Sequence, residues 1–122
     1  MGITHLAFDL SARYERRNGI HDDDVDAIRA ALKVERKMRI DYADGAGKKT
    51  TRVIWPVALA FFEEARVLIA WCELRVGFRH FRVDRMSRLT VLDERPPKRR
   101  RMLMQDWRIS QKIPHFTEQG PE

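Results

Sequence analysis

A single cysteine, Cys72, stands among 122 residues, so no disulfide can form within the chain and no Cys-x-x-Cys metal or redox pair exists. Long apolar runs are missing too. Although 43% of residues are hydrophobic, no stretch approaches the roughly 20 residues of a membrane-spanning helix, and no membrane is expected as a partner. The N-terminus lacks a basic, then apolar, then small-residue leader, which together with the lone thiol points to a reducing cytoplasm. Catalytic signatures are equally scarce. There is no nucleophile elbow and no paired-carboxylate motif, and "ADGAGKKT" (residues 43–50) lacks the spacing and following helix of a phosphate-cradling loop, so it reads as a hairpin turn. His5, His21, His80 and His115 are scattered along the chain, which argues against a metal site. Neither an enzyme nor a cofactor-binding protein is expected, and Cys72, inside an apolar run, reads as a buried, unreactive thiol.

What the chain does have is basic charge, unevenly placed. Lys and Arg number 24 against 18 Asp and Glu, a formal charge of +6. Between Arg75 and Arg101 ten basic residues face only Asp84, Asp93 and Glu94. A basic half attracts polyanions, and phosphate neutralisation makes such binding salt-dependent. The length suits one domain with a modest core.

Residues 1–20 show poor periodicity and read as a flexible lead. From His21, "HDDDVDAIRAALKVERK" reads as a helix: acids lie at its start, and Lys33, Arg36 and Lys37 near its end, both suited to the helix dipole. Val25, Ile28 and Leu32, with Ala31 beside them, make a narrow apolar stripe that should pack on a sheet. Met38, Ile40 and Tyr42 alternate with polar neighbours as a half-buried strand does, and a second strand should begin near Thr50. In "TTRVIWPVALAFF" apolar residues occupy both parities and Pro56 removes a ladder donor, so a bend, bulge or edge is expected there, breaking the strand in two. "RVLIAWCEL" is apolar on both parities, as a central strand covered on both faces would be. "FRHFRVDRM" resumes alternation after a turn at Val76 and Gly77, and Leu89 and Val91 suggest a last short strand. "DERPPKRRR" then breaks the pattern, so residues 94–122 read as a basic linker and tail, in which a short helix could dock Trp107. One helix and about five short strands close most economically as a small barrel, because closure removes exposed edges.

Arg52 with Pro56, the strand "VLIAWCELR" and the segment "RHFRVDRM" resemble the WYL domain family of bacterial transcriptional regulators. The likeness covers roughly residues 25–93, and its most specific part is the aromatic-cysteine pair followed, after a turn, by Arg-x-Phe-Arg-aliphatic-Asp-Arg-aliphatic. It implies a mainly β domain with α, a small Sm-like, SH3-type five-stranded barrel preceded by an amphipathic helix, over residues 21–93. Where the family often has Trp-Tyr-Leu, this chain has Arg66, Val67 and Leu68, although Trp71 shares the strand parity of Val67. Family members commonly carry an N-terminal helix-turn-helix domain of about 50 or more residues. Only some 20 residues precede the helix here, so the chain reads as the sensor half alone, either a fragment, a stand-alone member or a product that acts with another protein; a helix-turn-helix partner and a homodimer are both open.

The resemblance also implies a ligand: single-stranded nucleic acid or a nucleotide-like, phosphorylated anion. Its candidate contacts are Arg52, Arg75, Arg79, Arg82 and Arg85, whose forked guanidinium donors suit phosphate, with Tyr42 and Trp71 available for stacking and His80 beside the arginines. The same alternation also fits a solvated strand face in which Asp84 pairs with one arginine. A non-sensing single-stranded nucleic-acid-binding module that uses the Lys98 to Arg101 arm, or a domain that only dimerises, would share most of these features.

Overall fold

The protein is described by a computed structural model over residues 22–111; the lead expected over residues 1–20 and residues 112–122 of the expected tail lie outside the described residues. Helix α1 (Asp22–Val34) is followed by strands β1 (Met38–Ala43), β2 (Lys49–Phe61), β3 (Arg66–Cys72) and β4 (Gly77–Arg82), a 3-10 turn at Val83–Arg85, strand β5 (Met86–Val91) and helix α2 (Arg100–Gln111). The α1 stripe is buried as its spacing predicts: Ile28 and Ala31 are fully covered, Val25 nearly so, and the helix lies on β2 and β5. It stops at Glu35, whose φ of 56° is left-handed. The amides of Glu35 and Arg36 both turn back to the Ala31 carbonyl, a Schellman-like stop.

The five strands form one antiparallel sheet in the order β4-β3-β2-β1-β5. β2 is not broken at Pro56. It runs on for 13 residues and takes up one extra residue as a bulge between Pro56 and Ala58. The bulge shifts the phase, so that Ile54 before it and Leu59 after it both reach the inner core. That phase shift is why apolar residues fill both parities in the sequence.

The sheet is strongly curled. In a flat sheet β1 and β4, three strand spacings apart, would lie roughly 14 Å from each other. Instead the rings of Tyr42 on β1 and Phe81 on β4 meet edge to face with centroids 5.0 Å apart. The curl wraps the inner core of Ile28, Met38, Ile40, Ile54, Leu68, Phe81, Val83 and Leu89. The barrel expected from edge avoidance is nevertheless not closed, since the pairing order ends at β4 on one side and β5 on the other. The physical reason lies at the join. The 3-10 turn carries the chain from β4 directly into β5, and there the Arg82 amide donates to the Tyr42 hydroxyl at 3.0 Å rather than to a strand partner.

The outer face of β2 and β3 has its own cover. Val57, Ile69 and Leu103 form a second core with Trp55, Phe78, Met104 and Trp107 packed around it, so α2, within the stretch read as linker and tail, roofs this side. β3 is thus covered on both faces, as its composition predicts. Among the described residues no helix is long and apolar enough to cross a membrane.

Candidate ligand-binding face

Strand β4 pairs regularly with β3, setting Arg82 opposite Val67, His80 opposite Ile69, Arg79 opposite Ala70 and Phe78 opposite Trp71. Because side chains alternate across a strand, Arg79 shares the inner face with Phe81, while Arg82 shares the outer face with His80 and Phe78. The arginines of "FRHFR" are therefore divided between two faces. Arg79 Nη1 donates to the Phe78 carbonyl at 2.8 Å.

Arg82 forms a forked pair with Asp84, Nε donating to Oδ1 at 3.0 Å and Nη2 to Oδ2 at 2.8 Å. The carboxylate raises the guanidinium's pKa further and fixes its plane. This is the bidentate geometry that arginine favours, and it leaves Nη1 for another acceptor. Arg82 lines an outer cleft of about 520 Å³ with Phe62, Glu63, Glu64, Ala65 and Val67. Val67 gives the cleft an aliphatic wall.

On the inner side, Arg52 is 2% exposed. Its Nε donates to Thr50 Oγ1 at 3.0 Å, its guanidinium sits 5.7 Å from the Phe81 ring centroid, and Nη1 makes a weak 3.9 Å contact with Cys72 Sγ. Tyr42 is fully buried, its ring edge-on to Phe81. Cys72 is buried and unbridged, as expected. Arg85 lies by the β1–β2 hairpin, its Nη1 3.9 Å from where a Cβ on Gly45 would be. That hairpin is a plain turn, as expected: Asp44 Oδ1 accepts the amides of Ala46 and Lys48 at 2.9 Å each, which lowers the Asp44 pKa. Arg75 is exposed in the turn before β4. The structure thus groups Arg52 with the inner face, sets Arg82 on the outer one, and leaves Arg75 at the rim.

The rest of the outer face is aromatic. Trp71 stacks on Trp55 at 5.5 Å and 23°, and Phe78 meets Trp71 edge-on at 5.2 Å. Trp55 Nε1 donates to Glu73 Oε2 at 2.8 Å, and the same oxygen pairs with Lys37 Nζ at 2.8 Å. Lys37, then Trp55, hold the Glu73 carboxyl below its usual range, and Glu73 in turn raises the Lys37 pKa. His80 is engaged by the roof: Trp107 Nε1 donates to its Nε2 at 3.0 Å. Phe78 and Trp107 escape a reading based on arginines; the signal that finds Phe78 is its strand parity with Arg82. The basic arm is tied down as well. Lys98 pairs with Asp106 at 2.7 Å, Arg99 with Glu35 at 3.0 Å, and Arg100 Nη1 donates to the Val57 carbonyl at 3.0 Å. Among the described residues no group of three or more His, Cys, Asp or Glu side chains is placed to hold a metal.

No curated protein matches the sequence. Among solved structures, proteasome accessory factor B/C (PafBC) of Arthrobacter aurescens is similar, with a TM-score of 0.57 and 22% identity over 68% of this chain. At that identity the likeness concerns the fold, and the match spans only 14% of the PafBC chain. The WYL domain family model matches residues 23–91, more than half of the sequence, from α1 through the end of β5. With the strand carrying Arg79, Phe81 and Arg82 inside that span, this chain belongs to the WYL domain family.

Proposed function

We propose that the chain is a regulatory, ligand-sensing domain of transcription control, working in the cytoplasm and binding a nucleic-acid-derived or phosphorylated anion through the outer face of β4. Membership of the WYL family supports the regulatory role. The observation that carries the ligand reading is Arg82: a half-buried guanidinium, oriented by Asp84 and lining a cleft of about 520 Å³. Nη1 and the outer edge of Nη2 are the donors a phosphate oxygen needs. Glu63 and Glu64 on the cleft wall repel an anion placed beside them, so Arg82 is the contact on which binding there depends. Recognition of an operator belongs, in this reading, to a helix-turn-helix unit acting with the domain, and a homodimer would present two such faces.

The test is fluorescence anisotropy with a short labelled single-stranded DNA at about 50 and 200 mM salt, where phosphate binding weakens steeply. Arg82→Ala should lose most of the affinity, whereas Arg79→Ala, on the inner face, should retain most of it. Unchanged binding by a folded Arg82→Ala protein rules out this face. The reading in which a free basic arm grips nucleic acid is less favoured, because Arg99 is held by Glu35 and Arg100 by the Val57 carbonyl.

A further inference from the structure

We propose that a second cleft, between the outer sheet face and α2, binds a small planar aromatic acid, independently of the Arg82 cleft. It measures about 600 Å³ and is lined by Trp55, Trp71, Phe78, Pro97, Leu103 and the pair Lys98 and Asp106. That is the size of an ordinary small-molecule site. Its composition is that of such a site as well, mostly apolar with few polar groups.

Two features define the occupant. The aromatic walls are set by strand register, since Trp55 opposes Trp71 and Trp71 opposes Phe78 in one row across β2, β3 and β4. Trp55 is further pinned by the Glu73 carboxylate that Lys37 holds in place. Rigid, flat, nearly parallel indoles favour a flat ring over a branched aliphatic body. The polar end is Lys98, whose side chain is half exposed and whose 2.7 Å partner Asp106 is itself partly exposed. A solvated ion pair is exchanged at little cost, so an incoming carboxylate can take Asp106's place at the ammonium.

The two outer clefts are separate. Along β4 the order is Phe78, His80, Arg82, and the contact from Trp107 to His80 stands between the aromatic cleft and Arg82. An aromatic acid seated between the sheet and α2 would touch both, and would hold the helix against the sheet.

The experiment is isothermal titration calorimetry of the purified chain with 2-naphthoate, alongside 2-naphthylmethanol and cyclohexanecarboxylate. Saturable one-to-one binding of 2-naphthoate is expected, with both controls clearly weaker. Lys98→Gln should weaken naphthoate binding by about tenfold, the worth of one charge-assisted contact, and Trp71→Leu by a similar factor or more. Arg82→Ala should leave it unchanged, which separates this site from the phosphate reading. No saturable heat, equal binding of the alcohol, or undiminished affinity in Lys98→Gln overturns the proposal. Lys98 is a surface residue, so that variant decides the matter even if Trp71→Leu fails to fold.

Discussion

The hydroxyl of Tyr42 accepts the Arg82 amide at 3.0 Å, spanning the place where a closed barrel would have a ladder bond. Tyr42→Phe leaves that amide unpaired beside a fully buried ring, and should cost about 1–3 kcal/mol, read as a lower melting temperature in thermal denaturation. An unchanged melting point would mean that water or a backbone shift replaces the bond. The same residue shows the limit of reading side chains from a strand pattern. Alternation tells that Tyr42 and Arg52 lie on definite strand faces, but not that the sheet curls until Tyr42 meets Phe81 and Arg52 is covered over the same ring. The curl thus buries both Tyr42 and Arg52, which alternation by itself does not foretell. Arg82, three residues from Arg79, keeps an outward course because their odd spacing sets them on opposite faces.

Helix α2 depends on a residue from another element. Its first turn carries no acid and it begins at an arginine, the wrong charge for a helix N-terminus. The missing acceptor comes from Glu35, just past the end of α1: one oxygen accepts the Arg100 amide at 2.9 Å, and both oxygens take the Arg99 guanidinium, at 3.0 and 3.2 Å. The side-chain bond from Arg99, then the Arg100 amide, pull the Glu35 pKa from 4.5 to about 2. A depressed carboxyl pKa means that the folded form prefers the charged state. The stabilisation is therefore fully present above about pH 4.5 and is lost as the pH falls toward 2. Melting temperatures measured from pH 6 to 2 should show wild type above Glu35→Gln at the upper end, with the gap closing at the lower. A constant gap would mean that the carboxylate's charge plays no part. A 12-residue helix is marginal by itself, and one whose N-terminal acceptor lies 65 residues upstream leaves no local cap to read. The two prolines and the basic run therefore look like a linker, although Leu103 and Trp107 already carry the spacing of a docking face.

At the scale of the molecule, the curled sheet is sandwiched between its own inner core and the roof supplied by α2. Removing residues 100–122 bares Val57, Ile69 and the row of Trp55, Trp71 and Phe78, an apolar patch of the kind that drives association. The truncated chain should melt at a lower temperature and self-associate with rising concentration in light scattering. A monomer with unchanged melting would show that the roof contributes little. Deleting this stretch is for the same reason a poor test of nucleic-acid binding by the arm, since it removes a layer of the fold along with the charges.

The strands and α1 are determined locally. A period of two with flanking turn residues, or an apolar stripe with charges suited to the dipole, follows from neighbours in sequence, so these elements and the doubly covered character of β3 are written in the chain itself. Pro56 likewise announces an irregularity, since it cannot donate to a ladder; only the pairing with β3 shows that the strand absorbs it as a bulge and continues. Tertiary structure alone decided three things: that β4 and β5 do not pair, that α2 forms and covers the outer face, and that the arginines divide between a closed interior and an open cleft. Each depends on groups far apart in the chain, Tyr42 with Arg82, Glu35 with Arg100, Arg52 with Phe81. No local pattern encodes such distances, because they are set by how far the sheet curls.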